Sequence, residues 1–155
     1  MLQRTYDTQN CSIARTLELV GERWSLLIIR DAFLGLRRFD QFQASLGIAR
    51  NVLSSRLDRL VEAGILDRVR YQERPERHEY VLTDIGRELS VPLLALMHWG
   101  DRHLAPDGAP RLTEHADCGG QIEERHVCTR CGELVATAEL RTRPGPGAAA
   151  RANTG

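Results

Sequence analysis

Four residues near the C-terminal end have the types and spacing to bind a metal. His115, Cys118, Cys128 and Cys131 follow the pattern His-x2-Cys-x9-Cys-x2-Cys. Two donors separated by two residues can face one ion from a tight turn, which is what tetrahedral zinc needs. Gly119 and Gly132 directly follow a cysteine in each half and supply the flexible turn. Against this, the nine-residue gap is short and His126 is a rival ligand. Two readings therefore stand: a closed structural zinc site, or free and redox-active thiols. Cys11, far from the cluster, reads first as a small buried hydrophobe. Catalysis has no support, because there is no Gly-x-Ser-x-Gly elbow, no phosphate-cradling glycine loop and no His-Glu-x-x-His. The chain is predicted not to be an enzyme, with zinc the sole candidate cofactor.

The second set with chemical potential is the arginines. All 21 basic residues are arginine, balanced by 21 acids for a net charge of zero. A GC-rich genome explains an Arg-, Ala- and Gly-rich composition without any function. The distribution is uneven, however. From Arg37 to Arg77 nine arginines meet six acids, a local excess of three positive charges. That permits a nucleic-acid partner without demanding one.

Those arginines need elements to present them. Ile13, Ala14, Leu17 and Val20 recur at helical spacing and Gly21 ends that helix. Trp24 to Phe33 is apolar nearly all round, which predicts a buried helix. Gly35 to Arg38 reads as a turn. Asp40 with Gln43 suggests a capping box, stapled by Phe39, opening a short helix that ends near Gly47. From Arg50, Leu53, Leu57, Leu60 and Val61 mark an amphipathic helix closed by Gly64. Its other side carries Arg50, Asn51, Ser54, Ser55, Asp58 and Arg59. Leu66–Tyr71 and His78–Leu82 change to strand character around the polar turn Gln72–Arg77, so a hairpin with an arginine-bearing tip is expected. Thr83 should cap the next helix, and Pro92 should kink or restart it. Residues 89–104 hold more apolar groups than one face can bury, and a second copy of the chain would cover the surplus.

Two short helices joined by a turn and followed by a hairpin make a winged helix-turn-helix. The expected fold class is thus mainly α with a small β wing (α+β), extended by a short Cys-containing segment. In this geometry one helix enters a major groove roughly 12 Å wide while the hairpin reaches the neighbouring backbone. Arg50 and Asn51 can make bidentate contacts to guanine and adenine edges, with Ser54 and Ser55 as small donors one turn on. Arg59 shares that face, although Asp58 and Glu62 compete for Arg59 and Arg56 as local ion pairs. Arg37 and Arg38 precede the first helix of the motif, and Arg74 and Arg77 sit on the wing, all candidates for phosphate. Polar helix faces are usually only solvated, so the hairpin behind this one matters to the reading.

Particular residues carry a resemblance. Cys11-Ser12-Ile13-Ala14-Arg15, Gly21-Glu22-Arg23-Trp24-Ser25-Leu26-Leu27-Ile28-Ile29-Arg30, Arg37-Arg38-Phe39, Asn51-Val52-Leu53-Ser54-Ser55-Arg56-Leu57, Glu62-Ala63-Gly64-Ile65-Leu66, Glu79-Tyr80-Val81-Leu82-Thr83 and Trp99-Gly100-Asp101 resemble the HxlR-type transcriptional regulators. The likeness runs from about Cys11 to about Leu104. It implies a dimeric bacterial regulator, MarR-like in architecture, that binds inverted-repeat operators and often answers to a small molecule or thiol stress. It also implies that Cys11 occupies the position of an N-terminal cysteine that senses oxidants in some members. A zinc- or thiol-dependent protein-interaction module on a winged-helix scaffold is the alternative.

The expected organisation is a DNA-binding domain over 11–104, a linker over 105–110, a Cys/His-containing extension over 111–142 and a disordered tail over 143–155. The partners expected are double-stranded DNA and a second copy, joined through helix 89–104 and the N-terminal helix. The extension has too few large apolar residues for an independent core, so a metal or a small hairpin must organise it. No internal repeat is evident. At 155 residues and 42% hydrophobic content the chain can bury one core. Its longest purely aliphatic run, Leu26 to Ile29, is far short of the roughly 20 residues of a membrane span. No secretory signal is apparent either, so a soluble cytoplasmic protein is expected.

Overall fold

A computed structural model describes Tyr6 and residues 9–151; the last part of the expected disordered tail, 152–155, lies outside the described residues. The helices are α1 (Ser12–Val20), α2 (Ser25–Phe33), α3 (Phe39–Leu46), α4 (Arg50–Glu62), α5 (Asp84–Glu88) and α6 (Ser90–Leu104). Between α4 and α5 lie strands β1 (Leu66–Glu73) and β2 (Glu76–Leu82). Short 3-10 turns follow at Thr137–Glu139 and Pro146–Arg151. This is a winged helix-turn-helix. No helix among the described residues is long and apolar enough to cross a membrane.

The chain divides into two compact units, one ending at Leu93 and the other starting at Leu94. The division falls inside α6, while the expected linker 105–110 lies wholly in the second unit. Leu89 and Leu93 pack against the core of the first unit. That core joins Ile28 and Ile29 of α2, Phe42 of α3, Leu53, Leu57 and Leu60 of α4, and Leu66, Tyr80 and Leu82 of the hairpin. The 53-57-60 spacing puts one stripe of α4 inward, which forces positions 51, 54, 55 and 58 outward. Gly86 is packed so closely on the Ile65 carbonyl that a Cβ would collide with it, so α5 can sit there only with glycine.

Local details depart from the sequence reading in three places. The third helix starts at Phe39, and the capping glutamine is Gln41, not Gln43: its Oε1 accepts from the backbone N–H of Arg38 at 2.9 Å and of Arg37 at 3.0 Å. Starting the helix two residues earlier, with Arg38 and not Asp40 at the N-cap, makes Gln41 the third helical residue, the one able to reach back. The wing is also longer than expected. Gln72 pairs with Arg77 and Glu73 with Glu76, leaving Arg74-Pro75 as the tip. Ladder hydrogen bonds are made by backbone, so polar side chains do not stop them. Finally, the supposed turn at Arg37-Arg38 joins the wing, because Tyr80 N–H donates to Arg37 O at 2.7 Å and Arg38 bridges to Glu79. Thr83 does cap α5, accepting from Gly86 N–H at 3.0 Å, and Pro92 lies in the first turn of a restarted helix.

Candidate nucleic-acid interface

The outward face of α4 presents Arg50, Asn51, Ser54 and Ser55, all exposed. Asn51, Ser54, Ser55 and Asp58 line one shallow depression with Arg56, Arg59 and Glu62, about 630 Å³ in volume. Arg50 lies over the Phe39 ring at 4.8 Å, which holds its guanidinium at the start of the helix while leaving its edge free to donate. Arg38 is similarly stacked on Tyr71 at 4.8 Å and reaches Glu79 at 3.3 Å. Arg37, Arg74 and Arg77 are exposed, and their guanidiniums have no ion-pair partner among the described residues.

Two arginines of α4 are held from elsewhere in the fold. Glu22, in the turn between α1 and α2, binds Arg56 at 2.7 Å and Arg59 at 3.5 Å. Arg59 also donates to the Glu18 carbonyl. The local pairs expected with Asp58 and Glu62 are not formed. Asp58 instead meets Arg68 of β1 at 3.8 Å. Arg56 Nε is buried without a hydrogen-bond partner, so Glu22 offsets a charge that is already half withdrawn from water. Sequence reasoning missed Glu22, whose one signal was its place in the Gly21-Glu22-Arg23-Trp24 motif.

Comparison with known proteins bears on this arrangement. The model of the HxlR-like helix-turn-helix family matches residues 19–108, more than half of the chain. This chain belongs to the HxlR-like helix-turn-helix family. A curated relative, the uncharacterized HTH-type transcriptional regulator Rv3095 of Mycobacterium tuberculosis, is 52% identical over 137 residues, covering 88% of this chain and 87% of the relative. The crystal structure of PA1607, described as a candidate transcription factor, aligns with TM-score 0.79 and 38% identity over 90% of this chain and 98% of that one. The reduced form of the redox regulator HypR aligns with TM-score 0.57 and 29% identity over 59% of this chain and 92% of that one. The reach of the Rv3095 and PA1607 matches takes in much of the Cys/His extension, which lies beyond the family model.

In this HxlR-like chain Cys11 is exposed at the N-terminus of α1, so it is not the buried hydrophobe it first resembles. The Cys/His extension folds as two equivalent turns, a repeat the sequence reading overlooked. Gly119 N–H donates to His115 O and Gly132 N–H to Cys128 O, each at 2.8 Å. His115 N–H donates to Gly120 O and Cys128 N–H to Glu133 O, at 2.8 and 2.9 Å. Single bridges flank them in the same register, Glu114 to Gln121 and Val127 to Leu134. Both glycines have positive φ, +70° and +74°, which an L side chain rarely adopts. The repeat is therefore written as His/Cys-x2-Cys-Gly at an offset of thirteen.

The four donors expected to close on zinc do not assemble. His115 Nδ1 stands 3.3 Å from Cys118 Sγ, and the Cys131 thiol donates to Glu133 Oε2 at 3.9 Å. Among the described residues no group of three or more His, Cys, Asp or Glu side chains could hold a metal ion. Each turn closes on its own backbone hydrogen bonds, and nothing in them draws one pair of donors to the other. His126 donates nothing to either pair. It lines instead a cavity of about 720 Å³ in the second unit with His98, Arg102, Arg111 and Glu124, where His98 Nδ1 and Glu124 Oε2 meet at 2.7 Å.

Proposed function

We propose that this HxlR-like transcriptional regulator binds an inverted-repeat operator sequence-specifically, as a homodimer. The observation that carries the reading is the polar face of α4, with Arg50 and Asn51 at its leading end, backed by the Leu53-Leu57-Leu60 stripe that fixes its direction. Arg50, Asn51, Ser54 and Ser55 read base edges. Arg37, Arg74 and Arg77 hold phosphates, while Arg38 and Arg59, already engaged within the fold, serve first to brace the reader. Homodimerisation is supported by apolar side chains left in water: Ile13, Leu17 and Leu19 on α1, and Val91, Leu96, Trp99 and Leu104 on α6. Two readers related by a two-fold axis would meet successive major grooves roughly 34–36 Å apart. An effector is supported by the redox-regulator relatives, with the second unit's cavity as its small-molecule counterpart.

Footprinting of the chain's own upstream region tests the reading. A protected pseudo-palindrome is expected, with a dimer in sedimentation; a monomer protecting one half-site would overturn the dimer. Arg74→Ala and Arg77→Ala should weaken all sequences alike and reduce the salt slope by about one unit per lost contact. A changed sequence preference in those variants would move readout from α4 to the wing.

Glu22→Gln should do the opposite. Freeing Arg56 and Arg59 on the DNA-facing helix adds up to two cations, so the salt slope for random-sequence duplex should steepen by up to about 1.8. The ratio of specific to random binding should fall while the far-ultraviolet spectrum stays as in the parent. An unchanged slope would mean that both arginines point away from the phosphates.

A further inference from the structure

The cavity of about 720 Å³ lies wholly in the second unit, between the later turns of α6 and the Cys/His extension. We propose that it binds a medium-chain aliphatic carboxylate, its headgroup on Arg102 and Arg111 and its chain on the aliphatic wall. The inference rests on the reading of this cavity as the effector site, and it names the class of ligand. The volume is that of a small-molecule site, for which about 300–1,000 Å³ is usual. Both turns of the extension build the wall. Ile122 N–H donates to the Thr113 carbonyl at 3.1 Å and Val135 N–H to the His126 carbonyl at 2.9 Å. The first turn thereby brings Leu112 and Ile122 to the cavity, and the second brings Leu134 and Val135. Leu112, Ile122 and Leu134 stand exposed to water, a cost that an alkyl chain laid over them would remove. Among the described residues no Phe, Tyr or Trp lines the cavity, so the wall offers contact to a flexible chain and no face for a ring to stack on.

Three arginines and three carboxylates share the cavity, and they are not spent equally. Arg125 Nε donates to Glu123 at 2.9 Å, and Glu124 meets His98 at 2.7 Å. The side chains of Asp101, Arg102 and Arg111 have no hydrogen-bond or ion-pair partner among the described residues. What remains is two guanidiniums against one carboxylate, an excess of one positive charge that a monoanion neutralises. A guanidinium edge takes a carboxylate with two parallel hydrogen bonds, and an alkyl cation offers it nothing. A phosphate or nucleotide would engage the arginines but leave the aliphatic wall in water.

Calorimetric titration of the full chain with decanoate, in the absence of DNA, reads the binding directly. One equivalent per chain is expected. Decanol and decyltrimethylammonium share the chain without the negative charge and should bind about three- to tenfold more weakly. Hexanoate keeps the charge but has four methylenes fewer, and should bind at least about tenfold more weakly. Arg102→Gln and Arg111→Gln, both at exposed positions, should each weaken decanoate by about three- to tenfold with an unchanged far-ultraviolet spectrum. Asp101→Asn should tighten it, and Arg141→Gln, outside the cavity, should leave it alone. Equal affinity for decanol would overturn the proposal, as would arginine variants that bind decanoate like the parent. Variants that changed the sedimenting species and not the decanoate affinity would overturn it in favour of a second copy of the chain. Decanoate bound as expected, with the footprint on the upstream region unaltered, would uphold the ligand class and overturn the effector reading. Absence of binding would overturn the ligand class alone.

Discussion

Phe42→Ala should destabilise the N-terminal unit by about 3–5 kcal/mol, the usual cost of truncating a fully buried aromatic. Phe42 is wholly inaccessible in α3, at the centre of a cluster drawn from α2, α4 and the hairpin. Ile28 of α2 and Leu53 and Leu57 of α4, in the same cluster, are themselves fully buried. Collapse into the vacated space would therefore need several backbones to move together, and the cavity should persist. Urea unfolding followed by circular dichroism reads the effect as a lower midpoint at unchanged slope. Phe33→Ala is the control: at 36% exposure that ring should cost far less. Equal losses for the two rings would show that α3 is not the keystone of the core.

Asn51→Ala and Arg50→Ala should each reduce operator affinity by about 1–3 kcal/mol and relax the preference at individual base pairs. The two differ in what accompanies the loss. Asn51 is neutral and exposed, so its removal should leave the salt slope alone and abolish discrimination at one adenine. Arg50 carries charge and stacks on Phe39. Its removal should relax a guanine position, and Arg50→Lys should not restore it, because an ammonium lacks the planar bidentate fork. Binding-site selection with each variant measures both. Variants that lost affinity evenly over all sequences would make these residues backbone contacts.

Much of the candidate interface was legible before any fold was in view. The Leu53-Leu57-Leu60 stripe states which side of α4 is buried, and that alone assigns Asn51, Ser54 and Ser55 to solvent. The two strands, the Thr83 cap and the break at Pro92 are equally local, each set by a side chain acting within a few residues of itself. Where local cues misled, the error was one of register or extent. Asp40 and Gln43 imitate a capping box, and polar residues at 72–77 imitate a loop although all but Arg74 and Pro75 pair.

Sequence by itself determined the helix order, the inward stripe of α4, the arginine-bearing wing and the spacing of the two Cys/His turns, because these follow from periodicity, caps and turn residues that act over one or two helical turns. Tertiary structure alone decided that Glu22 holds Arg56 and Arg59, that Arg37 and Arg38 join the wing, and that no three of the zinc-spaced donors come together among the described residues. Each of those outcomes depends on where a segment tens of residues away, or a turn closed on its own hydrogen bonds, places its atoms. Ion pairs and metal sites form only within a few ångströms, and only the packed backbones set that distance.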